Sequence, residues 1–350
     1  DAPAQAPDRP LPGVQHFREP RRLKRRLCAR YDVGMIVDMH THLWQSPDQL
    51  GEQISAQLRQ RFAGRMELLD ASPAAHEAAM EPVDVAVVLG FRSRHLGAHL
   101  PNDYIAEHVR RHSDRLIGFA GVDPTEPGTA DHPGALAEQG FAGVTISPAA
   151  QAFHPADSRA LPLYEACAEH RLPVLVHQGT HNTRDSRMEF ARPYLFDEVA
   201  RANPELRIVF AHCGHPWTDE TLTLIGKHRY AFADLSNIIS RPWQLYNVLL
   251  QAHQLDVMDK LLFGSDFPYL SPEQAIETMY SLNRFVHGTG LPSIPREKVR
   301  AIVERDAPGL LGIRSPAGAR ASTPADSPNP RPTTTRSAPP PSAAARETSS

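Results

Sequence analysis

The sequence predicts a closed (β/α)8 barrel, an α/β fold, from two observations. Eight short apolar runs alternate with amphipathic stretches across one core of the chain, residues 35–314. Near-continuous apolar strands are typical of a parallel sheet covered on both faces, and eight βα units in about 280 residues fit such a barrel. The alternative is an open, doubly wound sheet. That fold usually has a Gly-rich phosphate loop after its first strand, and the loop is absent here.

The eight apolar runs define the strands in chain order. Each run is short and is followed by a stretch in which apolar residues have helical spacing. The predicted strands are Met35–Met39, Val83–Leu89, Leu116–Val122, Gly143–Ile146, Pro173–Val176, Arg207–Ala211, Tyr230–Leu235 and Leu261–Phe263.

The stretches between the runs predict the helices of the barrel. They are expected at Asp103–His112 (with Asn102 as N-cap), Leu163–His170, Pro193–Ala202, Thr218–His228, Pro272–Val286 and Arg296–Arg305. The connection Leu43–Ala71 after the first strand is long and contains a further predicted helix around Gln49–Arg61. This insertion would either cover the barrel mouth or pack as a surface helix.

Both ends of the chain differ in composition from the core. Residues 315–350 contain eight prolines and no Leu, Ile, Val or aromatic residue. Such a tail buries too little apolar area to offset the entropy of ordering, which predicts disorder. Residues 1–34 form a Pro/Ala-rich and Arg-rich extension, and its basic run Arg21–Arg26 is typical of a solvated segment. We therefore expect one enzyme-sized domain at 35–314 between two extensions.

Composition and charge narrow the classes of partner. The 37 Lys and Arg residues against 40 Asp and Glu residues give a net charge of −3, which does not favour nucleic-acid binding. No run of 18 apolar residues is present, which excludes a transmembrane helix, and no signal-peptide pattern is visible. The three cysteines are too widely spaced for a disulfide framework. The sequence predicts a cytoplasmic protein with neither nucleic-acid nor membrane partners.

Polar side chains follow four of the predicted strands, at the point where each strand ends. They are His40 and His42 after the first, His177 after the fifth, His212 after the sixth and Asp266 after the eighth. The carboxyl ends of the strands meet at the mouth of a (β/α)8 barrel, where active sites lie. Because alternate residues of a strand point the same way, both imidazoles of the first pair can reach one ion.

Four motifs around these residues resemble those of the amidohydrolase-related family. They are Ile36–His42 (IVDMHTH), Pro173–His177 (PVLVH), Phe210–Gly214 (FAHCG) and Phe263–Pro268 (FGSDFP). They occur in family order on the expected strands, and the resemblance covers residues 35–313. The similar branch includes aminocarboxymuconate-semialdehyde decarboxylase and the resorcylate-type decarboxylases.

The resemblance implies a distorted (β/α)8 barrel with one divalent metal ion, usually zinc (Zn2+) and sometimes manganese (Mn2+). By motif, the nitrogen ligands would be His40, His42 and His177. Asp266 would be a ligand or a catalytic base, and His212 would be a catalytic residue that moves protons. This set fits a catalytic zinc site, which uses about three or four N or O ligands and keeps one position open. Members of the family act on small molecules, and dimers are frequent among them.

Two further positions indicate how many metal ions and which ligands to expect. Two-metal members of the superfamily carry a lysine at the end of the fourth strand, whereas Gly143–Pro148 has none and Thr145 cannot replace it. One ion is therefore expected. A thiolate at Cys213 would bind zinc well, but alternation along the strand points this side chain away from His212, which favours core packing.

Candidates for substrate binding lie in the segments that follow the strands. Arg92 and Arg94 follow the second strand and can clamp a carboxylate through parallel hydrogen bonds, or they are solvated loop residues. Trp44 would either wall the pocket or pack in the core. The remaining candidates, His181 and His215, follow the fifth and sixth strands.

Two further polar residues follow the seventh strand. Asn237 is a candidate for substrate recognition. Asp234 is expected to cap a helix or to be a partner of a metal ligand.

Three functions remain open at this point. The first is a metal-dependent carboxy-lyase that decarboxylates a small aromatic or enoic acid without oxidation, with His212 or Asp266 handling the proton. The second is a hydrolase of the same superfamily that attacks an amide, lactone or ester with metal-bound hydroxide. The third is a non-catalytic barrel scaffold, which would predict broken ligands, whereas all of them are present.

Overall fold

Eight parallel strands form a barrel within the residues that the structure describes, which are 34–129, 132–179 and 183–316. This computed structural model gives the barrel strands as β1 (Val37–His42), β2 (Val85–Leu89), β3 (Leu116–Gly121), β4 (Gly143–Ile146), β5 (Val174–Val176), β6 (Ile208–Phe210), β7 (Ala231–Asp234) and β8 (Leu261–Leu262). Each overlaps one of the eight apolar runs, and the predicted (β/α)8 fold is confirmed. The predicted terminal extensions lie outside the described residues, apart from residues 34, 315 and 316.

The strands follow one another around the barrel in chain order, each paired in parallel with the next. Backbone hydrogen bonds close the ring between β8 and β1. Met39 N donates to Phe263 O at 2.9 Å, and Asp266 N donates to His40 O at 2.9 Å. The segment after β8 is therefore joined directly to the strand that carries the H-x-H pair.

Helices connect the strands and cover the barrel. They are α1 (Glu52–Arg61), α2 (Pro73–Ala79), α3 (Asn102–Arg111), α4 (His132–Glu138), α5 (Pro148–Gln151), α6 (Leu161–Glu169), α7 (Phe196–Ala202), α8 (Thr218–Lys227), α9 (Pro242–Gln254), α10 (Pro272–Ser281), α11 (Arg296–Val303) and α12 (Ala307–Leu310). The predicted helices are present, and two of them are completed by 3-10 turns at Pro193–Leu195 and Leu282–Val286. Within the described ranges, no helix combines the length and the apolar character needed to cross a membrane.

One predicted helix cap is wrong. Asn102 is the first residue of α3, and the N-cap is Pro101. The Asn102 side chain instead accepts a hydrogen bond from Gly121 N at 2.9 Å and donates one to Gly121 O at 3.2 Å. This amide therefore ties α3 to the end of β3, and such a long-range pairing competes with local capping.

The barrel interior is an apolar core of its own, separate from the layer beneath the helices. Val209 belongs to the inner cluster, while its neighbours Ile208 and Phe210 belong to the outer one, as alternation along a strand requires. Ala307 and Leu311, in and just after α12, pack into the inner cluster. The last helix therefore closes the lower end of the barrel, opposite the mouth.

The described chain also begins and ends at this lower end. Gly34 N donates to the Glu304 carboxylate at 2.9 Å, just before β1. The next residue, Arg305, donates from Nε to Leu261 O at 3.0 Å, at the start of β8. Both ends of the barrel domain are thereby fixed beneath the strands.

The insertion between β1 and β2 both packs on the barrel and reaches its mouth. Trp44 Nε1 donates to Leu69 O at 3.0 Å, and Leu58 of α1 is buried. On another side of α1, Gln53 pairs through its side-chain amide with Asp185, which lies in the loop after β5, and Asp185 N donates to Gln53 Oε1 at 3.2 Å. The two interpretations from the sequence, a segment at the barrel mouth and a packed surface helix, therefore both describe part of this insertion.

Candidate metal centre

The first strand brings its two histidines together past a local irregularity. The register between β1 and β2 shifts between Asp38 and Thr41, so β1 has one extra residue there. His40 is fully buried and His42 is partly exposed. Their Nε2 atoms lie 3.2 Å apart.

Two more of the predicted residues complete a cluster of donor atoms. His177 directly follows β5, and its Nε2 atom lies 3.2 Å from His40 Nε2. Asp266 follows β8, and its Oδ1 atom lies 3.4 Å from His42 Nε2 and 3.6 Å from His40 Nε2. Four side chains from three strand ends therefore point at one small volume.

These separations suit a single metal ion. Two nitrogens bound to one zinc ion at about 2.0–2.1 Å in a tetrahedron lie about 3.3 Å apart, close to the distances that join His40 to His42 and His177. The ligand atoms of these three histidines lie within 4.8 Å of one another, and so do those of His40, His212 and Asp266. The donors are nitrogen and carboxylate oxygen, which both zinc and manganese accept.

Asp234, at the end of β7, fixes the orientation of His40. Its Oδ2 atom lies 2.9 Å from His40 Nδ1. Burial alone would raise the pKa of Asp234, but His40 and a hydrogen bond from Ser236 hold it below its ordinary value. The ionised carboxylate can only accept, so His40 Nδ1 donates. In neutral His40 this leaves the Nε2 lone pair facing the cluster, as a metal ligand needs, although Asp234 and Asp266 raise the pKa of the imidazole while no ion is bound.

The same carboxylate organises His212. Its other oxygen, Oδ1, accepts hydrogen bonds from His212 N and Ser236 N, both at 3.0 Å, and from the Ser236 hydroxyl. Because the Ser236 proton is used in that bond, His212 Nδ1 donates to Ser236 Oγ at 2.8 Å. Burial lowers the pKa of His212, which favours the neutral ring with Nε2 unprotonated.

Backbone geometry places His212 and Asp266 at the mouth. Their φ angles are 56° and 65°, in the left-handed region that non-glycine residues rarely adopt. His212 is the second residue of the turn Ala211–Gly214 that follows β6, and its ring centroid lies 4.7 Å from that of His40. Such outliers cluster at functional sites when the surroundings enforce them.

Asp266 is held as an anion with both oxygens assigned. Burial would raise its pKa, but a hydrogen bond with His42 and the nearby His212 hold the pKa of Asp266 well below its ordinary value. Asn237, itself at φ 59°, donates from Nδ2 to Asp266 Oδ2 at 2.9 Å. This leaves Oδ1 to face the histidines. Asn237 was a substrate-binding candidate, and the structure places it behind the carboxylate.

Asp38 is a buried acid that the sequence reasoning left unassigned. Its Oδ1 atom accepts from His40 N at 3.1 Å and from Ser265 N at 2.9 Å, so it ties β1 to the segment after β8. Burial raises the pKa of Asp38 to about 6. Its place two residues before His40, within the D-x-H-x-H motif, was the signal that could have identified it.

Trp44 lies against the cluster. Its ring stacks on His42, with centroids 6.2 Å apart and planes at 26°. Tyr269, which the sequence reasoning missed, lies 6.3 Å from His42 and 6.1 Å from Trp44, ring centroid to ring centroid. Tyr269 comes three residues after Asp266, and that short spacing could have indicated its position. An aromatic wall therefore flanks His42.

The two arginine candidates sit in a short hairpin beyond β2, Arg92–Ser93 and Ala98–His99. The Arg92 guanidinium is paired with Glu126, Nε to Oε2 at 2.7 Å. Arg94 has an exposed side chain, and its backbone N donates to Asp123 Oδ2 at 2.7 Å. Within the described residues, neither guanidinium contacts the histidine cluster.

The remaining residues that the sequence singled out are in neither group of possible metal ligands found among the described residues. His215 follows the His212 turn and is half-buried, and burial lowers its pKa. His181 lies outside the described residues. Cys213 is fully buried in the outer apolar cluster, and burial raises the pKa of its thiol. Thr145 is buried on β4, where the two-metal members carry lysine.

Comparison with known proteins gives one family. A family model described as amidohydrolase matches residues 37–309. No curated protein matches the chain.

Several solved structures share the fold. An uncharacterized TIM-barrel protein from Bordetella bronchiseptica is 19% identical, with a TM-score of 0.62 over 79% of this chain and 98% of that one. A probable 2-pyrone-4,6-dicarboxylic acid hydrolase from Acinetobacter baumannii, with citric acid bound, is 17% identical, with a TM-score of 0.55 over 79% and 99%. A 5-carboxyvanillate decarboxylase from Novosphingobium aromaticivorans, complexed with manganese and a nitrobenzoic acid, is 14% identical, with a TM-score of 0.53 over 80% and 96%. At these identities the likeness is one of fold.

Proposed function

The chain belongs to the amidohydrolase family, and from this premise we propose that it is a metal-dependent carboxy-lyase. Its substrate would be a small aromatic or enoic carboxylic acid, which loses its carboxyl group without oxidation. The observation that carries the proposal is the cluster of His40, His42 and His177 with Asp266, whose facing donor atoms are 3.2–3.6 Å apart. A non-catalytic scaffold has no need for such a cluster.

These four residues would hold one divalent ion, zinc or manganese. The ion would act as a Lewis acid that draws electron density from the substrate carboxylate and a neighbouring oxygen. The chain contributes the orientation of the ligands, because Asp234 fixes His40 and Asn237 fixes Asp266.

His212 is the residue that can move the proton. When the carbon–carbon bond to the carboxyl group breaks, its electron pair stays on the remaining carbon, carbon dioxide leaves, and that carbon takes a proton. His212 Nε2 is free to pick up a proton and deliver it there, since Nδ1 is held by Ser236. The anionic Asp234 and Asp266 nearby would offset the positive charge of the protonated ring.

The aromatic ring of Tyr269 supports a flat substrate. Tyr269 is partly exposed beside His42, and aromatic rings favour stacked or edge-on contact with another planar ring, whereas Trp44 is buried in the core behind His42. Arg94 lies in the hairpin beyond β2, and its side chain is exposed. It stays our candidate for binding a second carboxylate or another anionic group of the substrate.

Hydrolysis of a lactone, ester or amide is the second candidate, and one observation favours it. Asp266 is held ionised within the cluster, so it can take a proton from a water molecule that attacks a carbonyl carbon. His212 would then protonate the leaving group. Both reactions use the same residues, so the two candidates are distinguished by which class of substrate the protein converts.

The experiment combines metal content with two substrate panels. Protein purified without a metal-affinity tag is analysed by plasma mass spectrometry, stripped with a chelator and reloaded with zinc or manganese. Carbon dioxide release from hydroxybenzoates and carboxymuconate-type acids is measured beside ring opening of lactones and hydrolysis of esters and amides. About one ion per chain with gas release supports the lyase. One ion with hydrolysis alone selects the second candidate, and a chain that binds no ion after reloading overturns both.

A further inference from the structure

A second group of histidines lies behind the metal-bearing strand and plays no part in the proposed reaction. His76 on α2 and His108 on α3 are both buried, with relative exposures of 0% and 3%. His108 Nε2 lies 3.2 Å from His76 Nδ1, and His76 Nε2 lies 3.0 Å from Thr41 Oγ1. Thr41 is the residue between His40 and His42. Two helices are thus connected by side chains to the strand that carries the metal ligands.

The direction of each hydrogen bond in this group follows from one proton. The Thr41 hydroxyl donates to Val87 O at 2.7 Å, which uses its only hydrogen. His76 must then donate from Nε2 to Thr41, so its Nδ1 atom is an acceptor and receives the proton on His108 Nε2. Burial supports these neutral forms, because it lowers the pKa of His76 to about 3 and the pKa of His108 to about 4.

The group acts at the irregular point of β1. Asp38 pairs with Ala86, whereas Thr41 pairs with Val88, so three steps along β1 oppose two along β2. Val87 lies between those partners, and the Thr41 hydroxyl binds its carbonyl. A bulge of this kind changes the direction in which the neighbouring side chains point. The hydrogen bond from His76, which is itself held by His108, fixes the Thr41 side chain in the rotamer whose hydroxyl binds Val87 O across the bulge.

We propose that Thr41, His76 and His108 are positioning residues that fix the bulge of β1 and so aim His40 and His42 at one metal ion. The hydrogen bonds described for these three side chains join them to one another and to Val87 O, and none of these bonds is to a proposed metal ligand. They act through the backbone of β1, on which the two ligands flank Thr41. This inference rests on the proposed metal centre, and it adds the residues that keep it assembled.

The test compares Thr41→Val with Thr41→Ser in the full chain. Valine has the shape of threonine but no hydroxyl, whereas serine keeps the hydroxyl. Zinc and manganese dissociation constants are measured by competition with a chromophoric chelator. We expect Thr41→Val to weaken metal binding on the order of ten-fold, at the lower end of the effect of residues that orient ligands. Thr41→Ser should stay within about two-fold of the unmodified chain.

A second pair of variants tests the histidine. His76→Phe keeps a ring but cannot donate to Thr41, and should weaken metal binding as Thr41→Val does. His76→Gln can place an N–H near the former Nε2 position, and should restore part of the affinity. Leu163→Ala, at a buried position of α6, is the control for general loss of stability, and we expect unchanged metal affinity from it while the fold persists.

A measurement on the metal-free protein tests the positioning role without relying on how much metal each variant binds. Hydrogen–deuterium exchange of the apo-protein should show faster exchange in peptides that cover residues 37–42 in Thr41→Val and His76→Phe, and no change there in Leu163→Ala. If the unmodified chain binds metal and Thr41→Val binds it equally well, the positioning role is overturned and the metal centre stands. Unchanged exchange at 37–42 overturns it as well. If the unmodified chain binds no metal, the proposed function and this inference fall together.

Discussion

The carboxylate of Asp234 bridges the two histidines on which binding and catalysis would depend: one oxygen accepts from His40 Nδ1 at 2.9 Å and the other from His212 N at 3.0 Å. A single buried acid thus orients both the proposed metal ligand and the proposed proton carrier. The two functions of the site are coupled through it.

Asp234→Asn should therefore weaken metal binding. The amide can turn its Nδ2 toward His40 and push the imidazole proton onto Nε2, which removes the lone pair that a ligand needs. We expect a loss of about 10–100-fold in metal affinity, measured by chelator competition. The exposed Asp219→Asn is the control and should bind metal like the unmodified chain. Equal affinity in both variants would contradict this role of Asp234.

His177→Ala and His212→Ala should separate binding from turnover. The first removes a nitrogen ligand and should lose most of its bound metal. The second should keep most of its metal, while turnover falls by a factor on the order of 10² or more because the proton carrier is gone. Metal content and rate are measured on the same samples. If His212→Ala lost its metal and His177→Ala kept it, the two assignments would have to be exchanged.

Asn237→Asp should disturb Asp266 without changing the size of either side chain. The new carboxylate places a like charge beside Asp266 Oδ2 in exchange for a hydrogen-bond donor, which raises the pKa of Asp266. We expect weaker metal binding and a stronger dependence of that binding on pH in the acid range. Asn237→Gly removes the donor but tolerates the φ of 59°, and should have a smaller effect. If Asn237→Asp matched the unmodified chain in metal affinity and in the pH dependence of that affinity, the Asn237 contact would be dispensable.

Metal should stabilise the fold measurably. An ion at 100 times its dissociation constant adds about 2.7 kcal/mol to the free energy of unfolding when it binds only the folded chain. Scanning calorimetry of apo-protein and reloaded protein should show a rise of several degrees in the melting temperature. His177→Ala should show little of this rise. An identical rise in that variant would place the stabilising ion elsewhere.

The buried histidines behind β1 predict an acid-sensitive fold. The pKa of His76 falls from 6.5 to about 3 on folding, because burial and the nearby His108 and Arg115 disfavour its charged form. The unfolded chain therefore binds more protons than the folded chain between these values, and stability decreases as the pH falls from about 6.5 toward 3. Urea unfolding of the apo-protein at about pH 7 and about pH 5 measures this decrease. His76→Phe should reduce the difference between the two, and an unchanged difference would exclude His76 as its source.

Much of this architecture was visible in the sequence, because it depends on local signals. Apolar runs fixed the eight strands, and the position of His177 directly after one of them was enough to place it at the mouth. The side-chain environment of the candidates was not visible, since it depends on partners distant in sequence. Arg92 meets Glu126 on the loop after β3, and that pairing could not be read from either segment alone.

The same limit explains the residues that were missed or given another role. Asn237 reaches Asp266 only because its backbone adopts φ 59°, and no local pattern announces that conformation. His76 and His108 come from separate helices, so their contact requires the packed fold. A single histidine on a helix gives no indication of such a partner.

The hydrogen bond between Gly34 and Glu304 has a practical consequence for protein engineering. Because both ends of the barrel domain are fixed beneath the strands, a surface tether, a reporter domain or an affinity handle joined at either end would leave from the side away from the substrate entrance. The same end of the barrel also suits circular permutation: a linker that starts after α12, whose Ala307 packs inside the barrel, could return to Gly34, and new termini could be opened in an exposed loop.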